Sequence, residues 1–170
     1  LYFGHRVDSL ANEALTAEQK NLPEAYRADM VQPVPAVAKE KQGAFASNRG
    51  FTMRKPAVSF EGAFCINYFF TPAYAPVDGI TLYYWSEDDF TTHDILTAEN
   101  ATGAFKLEGF GTDQYRGDIT DISAKNLSQP VYVAAVYSDG TATWTSGVLG
   151  YSIGAYCSSQ ATKIGDIADL

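Results

Sequence analysis

The densest group of reactive side chains lies in SEDDFTTHD, residues 86–94, which carries Glu87, Asp88, Asp89, His93 and Asp94. Carboxylates at this density can bind Ca²⁺ when they converge with backbone carbonyls, because a hard cation takes several oxygens at once. The spacing fits no EF-hand loop, and no glycine stands where such a loop turns sharply. Glu87, Asp88, Asp89 and Asp94 are therefore candidate Ca²⁺ ligands, weighed against the plainer reading of a solvated acidic loop, and no other cofactor is expected. Paired acids could also hydrolyse glycosidic bonds, which needs two carboxylates at a set separation. No pair stands out, so no catalytic residue is assigned and the chain is not expected to be an enzyme.

Thiol chemistry rests on Cys65 and Cys157 alone. Neither has a histidine close in sequence, which argues against an activated nucleophile. With only His5 and His93 besides, no Cys/His ligand spacing for zinc exists. Two readings remain open. Both cysteines could be packed thiols, since free Cys behaves as a small hydrophobe. They could instead form a disulfide, which an extracellular location would favour. Closing a loop of about 90 residues would stabilise the fold by roughly 4–5 kcal/mol on a chain-entropy view.

A third signal is QYRGDITDI, residues 114–122, which contains Arg116-Gly117-Asp118. That tripeptide is a cell-attachment signal when displayed at a flexible loop tip. As a strand, however, the segment puts Tyr115, Gly117 and Ile119 on one face and Gln114, Arg116 and Asp118 on the other. Ile119 and Ile122 would anchor it, so the match reads as strand chemistry rather than adhesion.

Aromatic rings supply the remaining candidates. Tyr83, Trp85, Tyr132 and Trp144 fall on strand-like runs, where flat rings can stack on sugars or fill a core. They are the candidate ligand-binding residues. Asn100 in NAT and Asn126 in NLS match the glycosylation acceptor, which hints only at surface loops.

These residues need a scaffold, and the composition bounds it. The 170 residues suffice for one domain with a core and an appended arm. Aromatics reach 14% and charged residues only 19%, a balance that suits a folded, β-leaning domain. A net charge of −8 repels phosphate backbones, so nucleic acid is not an expected partner. No apolar run is long enough to insert in a membrane.

The arm occupies residues 1–43. LTAEQ offers a capping box from Thr16 to Gln19, and Pro23 suits the first turn of a second short helix. Pro33 and Pro35 then make an extended connector. From residue 44 to 170 the hydrophobic period becomes two. AFCINYFF (63–70) is nearly all apolar and reads as a strand buried on both faces. ITLYYWSED (80–88) alternates Ile80, Leu82 and Tyr84 against Thr81, Tyr83 and Trp85. Val131, Val133, Ala135 and Tyr137 alternate with Tyr132, Ala134 and Val136, and Asp139-Gly140 follows as a hairpin turn. YSIGAYCSSQ (151–160) breaks the alternation and starts a helix. Short strands with close turns predict a mainly β protein: an antiparallel β-sandwich of immunoglobulin-like or fibronectin-like layout.

VYVAAVYSDG followed by a strand and YSIGAYC, with ISAKNL before it, resembles a module of large secreted or cell-wall-attached proteins of gut Firmicutes. LYFGHRVDSLAN at the start and IGDIADL at the end resemble the two ends of a Tyr-rich helix found beside that module. The resemblance implies an extracellular or cell-surface location and an excerpt from a longer, tandem array. Its partners would be neighbouring modules of the same chain, a glycan or a host surface protein. It carries over no catalytic residues. The expected role is a scaffold, spacer or adhesive unit, with carbohydrate binding by surface Tyr and Trp as the alternative and a hydrolase-associated domain as the second.

Overall fold

A computed structural model describes residues 33–73 and 79–168. The helices expected before Pro33 lie outside the described residues.

Strand chemistry dominates. The β strands are β1 (Phe51–Met53), β2 (Ala57–Ser59), β3 (Cys65–Pro72), β4 (Thr81–Trp85), β5 (Gly103–Lys106), β6 (Glu108–Phe110), β7 (Gln114–Ile119), β8 (Val131–Ser138), β9 (Thr143–Thr145) and β10 (Leu149–Tyr151). One sheet has the order β1-β3-β7-β6, with β2 also on β3. The other has the order β10-β8-β4-β5, with β9 also on β8. Every pairing is antiparallel. The protein is an antiparallel β-sandwich, and its strand order follows the immunoglobulin scheme as an arrangement.

The expected alternations set the layers. Ile66, Tyr68 and Phe70 of β3 face Leu82, Val133 and Ala135 of the second sheet, and all are buried. Gly117 of β7 lets the layers close here: a Cβ there would lie 2.6 Å from Leu107 Cδ2 and 2.7 Å from Leu82 Cδ2. Between β5 and β6 the chain crosses from one sheet to the other. Leu107 makes the crossing, its side chain buried and its N–H donating to the Ile80 carbonyl at 2.9 Å. That crossing closes one side of the sandwich.

The hairpin at Asp139-Gly140 forms as expected. Gly140 takes a φ of 85°, and Asp139 Oδ1 accepts from the N–H groups of Thr141 and Ala142 at 2.8 Å each. Helix α1 (Lys39–Gln42) is a single turn ahead of β1, and α2 (Glu87–Thr92) supplies the helical turn expected after Trp85. Helix α3 (Ile153–Ala168) starts where YSIGAYC breaks the strand pattern. Ile153 fits into the end of the core, with Tyr156 and Cys157 packed beside it.

A second apolar cluster lies on the far face of the β8-β4 sheet. Trp85, Tyr132 and Ala134 are covered there by Val37, Phe45, Leu96 and Val148. The segment from Val34 to Asn48 acts as a strap across this face. Polar bonds pin it: Val148 N–H donates to Gln42 Oε1 at 3.0 Å, Thr145 N–H to Asn48 Oδ1 at 2.9 Å, and Asn48 Nδ2 to the Thr143 carbonyl at 2.6 Å. Val37 and Phe45, on either side of residue 43, share this one cluster.

Candidate functional site

The acidic loop folds into a helix start. Ser86 is the N-cap of α2, its Oγ accepting from Asp89 N–H at 3.2 Å and donating to Asp89 Oδ2 at 2.9 Å. Thr102 Oγ1 also donates to that oxygen. These hydroxyls, Thr102 first, hold the Asp89 carboxyl below its usual range. Glu87 and Asp88 fill the rest of the first turn, where negative charge suits the helix dipole. His93 Nδ1 sits 2.8 Å from the Asp89 carbonyl oxygen. No group of three or more acidic, His or Cys side chains converges as a metal site among the described residues. The Ca²⁺ set expected from Glu87, Asp88, Asp89 and Asp94 does not converge: the first three lie in the first turn of a capped helix, and Asp94 lies beyond its end.

Both cysteines are free thiols, which corrects the disulfide alternative. Cys65 lies on the outward face of β3, where its Sγ is 3.2 Å from Asn67 Nδ2. Cys157 packs against the core from α3. Burial raises both thiol pKa values, and the Asp118 carboxylate adds to the rise at Cys65. Raised values suit packed thiols rather than nucleophiles.

The four aromatic candidates do not form a strip. Trp85 is 0% exposed and donates from Nε1 to Asn100 Oδ1 at 3.0 Å. Tyr132 is buried with its ring stacked on Phe90 at 3.6 Å. Phe45 of the strap covers Trp85 and Phe90 of α2 covers Tyr132, so neither ring presents a free face. Tyr83 is half-buried against Phe45, and it lines an apolar hollow of about 440 Å³ beside Ile95. Trp144 is half-buried on β9, far enough round to pack against the main core.

The more open surface is the β7-β6 side of the outer face of the β3-β7-β6 sheet; on β3 the outward Cys65 and Asn67 are themselves buried. Residues facing each other across antiparallel strands share a face, and here Phe69 pairs with Arg116, Asn67 with Asp118, and Glu108 with Arg116. Arg116 Nε donates to Asp118 Oδ1 at 2.6 Å, and Asn67 Nδ2 donates to the same oxygen at 2.8 Å. Phe110 is 45% exposed; its ring meets Phe69 at 5.4 Å, and the Arg116 guanidinium carbon lies 5.8 Å from its centroid. A hollow of about 410 Å³ lies along this edge, lined by Lys106, Glu108, Phe110, Arg116 and Asp118 among others. Arg116-Gly117-Asp118 is thus locked in a strand bonded on both sides, not shown at a loop tip. The sequence reading named Arg116 and Asp118 but missed Phe110. The signal for it was a large ring set between Gly109 and Gly111 at a hairpin end, where Gln114 stands opposite.

No protein-family model matches the chain, and no curated protein matches it. Among solved structures, the crystal structure of the Br derivative of BhCBM56, a carbohydrate-binding module, matches with a TM-score of 0.39 and 9% identity. The match covers 62% of this chain and 95% of that one. At that score the likeness is too loose to carry an inference. No described helix is long and apolar enough to cross a membrane.

Proposed function

We propose that this chain is a non-catalytic extracellular module of a larger bacterial surface protein, serving as a scaffold, spacer or adhesive unit. One observation carries the reading: the side chains best suited to chemistry are committed to structural bonds. Asp89 is held by the Ser86 and Thr102 hydroxyls, Asp118 by Arg116 and Asn67, and Asn100 accepts from Trp85. A group so fixed holds the fold together but has little freedom to move protons. The resemblance of VYVAAVYSDG and YSIGAYC to modules of secreted and wall-attached Firmicutes proteins supports the cell-surface location. Neighbouring modules, a glycan or a host surface protein would be the partners.

The test sets turnover against retention. The whole chain is incubated with polysaccharides and with chromogenic glycosides and esters, and both bound protein and released product are followed. Retention without product is the expected result. Product release that disappears in Asp89→Asn or Asp118→Asn would make the domain a hydrolase and overturn the reading.

Carbohydrate binding remains the narrower reading within this one. It cannot use Trp85 or Tyr132, which are buried, but the exposed Phe110 ring favours it on the opposite sheet.

A further inference from the structure

The two outer faces of the sandwich differ. On the β8-β4 sheet, the strap and the loop after α2 bury Trp85, Tyr132 and Ala134. On the β3-β7-β6 sheet, Glu108 and Phe110 stay exposed, and Arg116 and Asp118 keep 38% and 36% of their side-chain surface. Among the described residues, this face carries the exposed Phe110 ring beside half-buried Phe69, with polar groups around the pair.

We infer that this face, centred on Phe110, Arg116, Asp118 and Glu108, binds a neutral saccharide chain. The inference rests on the adhesive reading above and names its site and ligand class.

Three properties select that ligand. First, sugars present an apolar C–H face ringed by hydroxyls, and Phe110 offers a flat apolar surface ringed by donors and acceptors. Second, the charge balances locally. Among the side chains lining the hollow, Lys106 and Arg116 give +2 and Glu108 and Asp118 give −2, in a chain whose net charge is −8. An anionic ligand would meet the field of the whole acidic chain, and a cationic one would meet Arg116 and Lys106 at the contact. A neutral polyol meets neither penalty. Third, the groups are set in advance. β7 lies between β3 and β6, and the Arg116–Asp118 and Asn67–Asp118 bonds fix the side chains. Groups held before binding lose little freedom on contact. A guanidinium has five N–H donors, and the bond to Asp118 from Nε uses one.

The test uses the whole chain against immobilised neutral glycans (glucans, mannans, xylans, galactans and chito-oligosaccharides) and against sulfated and uronic-acid glycans, followed by calorimetry on any hit. Binding to a neutral glycan is expected. Phe110→Ala should weaken it at least about tenfold, as loss of a central anchor does. Arg116→Lys keeps the charge but loses the planar fork, and should weaken it several-fold. Ile95→Ala, in the loop after α2 on the other side of the sandwich, should change nothing. Unchanged melting temperatures exclude misfolding as the cause. Neutral-glycan binding that survives both Phe110→Ala and Arg116→Lys would overturn the site and leave the adhesive reading intact. Binding confined to anionic glycans, binding only to protein, or no glycan binding by a folded chain would overturn the ligand class. Product release in place of retention would overturn the adhesive reading itself.

Discussion

Asn100 shows how a single polar side chain can organise a loop. Its Oδ1 accepts from Trp85 Nε1 at 3.0 Å and from Thr97 N–H at 2.9 Å, and its Nδ2 donates to the Ile95 carbonyl at 2.9 Å. Trp85 is fully buried, so its N–H must find a partner inside the protein. Asn100→Ala should therefore cost about 1–3 kcal/mol, the usual penalty for orphaning a buried donor. Asn100→Asp, which keeps an acceptor for Trp85, should recover part of it. Urea unfolding followed by tryptophan fluorescence measures both. Two carboxylates tie residue chemistry to pH. Asp89 is held down by the Thr102 and Ser86 hydroxyls, and Asp139 by the backbone N–H groups of Ala142 and Thr141. Each folded pKa lies below the ordinary value of 3.8. Their stabilisation is thus fully present above the unfolded value and is lost as pH falls through the folded one. Stability should decline below about pH 4 for this reason. Asp89→Asn with Asp139→Asn, which keeps the acceptors but removes the titration, should flatten that decline in urea midpoints measured against pH. An undiminished decline in the double variant would place the acid sensitivity elsewhere.

At the scale of elements, close approach decides what the strands tolerate. Gly50 sits where the strap enters β1, and a Cβ there would lie 2.5 Å from Trp144 Cβ and 3.2 Å from Trp144 Cα. Those atoms belong to β9 near its backbone, so they cannot swing aside. Gly50→Ala should destabilise by about 1–3 kcal/mol through overpacking. Gly109→Ala, whose Cβ would meet nothing within 4 Å, should stay within about 0.5 kcal/mol of the parent. Thermal melts compare the two, and equal losses would mean that strand entropy rather than contact sets the cost. The same distinction explains what the sequence could reveal. Period-two alternation places β8 and β4 and their facing residues, because each side chain's face follows from its own strand. Asp139-Gly140 places the hairpin, because a turn is a local event. The strap is not legible. Whether Trp85 faces solvent or protein depends on a segment some forty residues earlier, Val37 to Phe45, whose docking leaves no periodic mark. Three-residue β1 is too short for alternation to register. The candidate site shows the same limit. Arg116 and Asp118 are visible on a strand face, but Phe110 joins them only through the β6-β7 hairpin and Phe69 only through β3.

The described residues form a sandwich with one outer face sealed and the other more open, and the seal has a testable keystone. Phe45 is 5% exposed and meets Trp85 edge-on at 5.0 Å and Tyr83 at 5.3 Å. It ties the strap to β4 across a layer that the sheet-to-sheet core does not reach. Phe45→Ala removes a buried ring from a thin layer that has little behind it to collapse inward. The cost should reach about 3–5 kcal/mol, the range for buried Phe→Ala changes. The layered arrangement adds a second expectation. The main core around Ile66, Tyr68, Leu82 and Val133 does not include Phe45, so the sandwich should keep its strands while the strap loosens. Far-ultraviolet circular dichroism should then hold, while Trp85 emission shifts to the red and amides near Thr145 and Val148, which bond Asn48 and Gln42, exchange faster. If the strands and the strap unfold together in one transition, the two layers form a single cooperative unit and the strap is part of the domain's folding core. If the strap loosens alone, the aromatic face beneath it becomes a second surface that the protein normally keeps closed. The glycan screen on Phe45→Ala would then show whether Trp85 and Tyr132 can bind sugars once uncovered, and binding that Phe110→Ala does not reduce would be its mark.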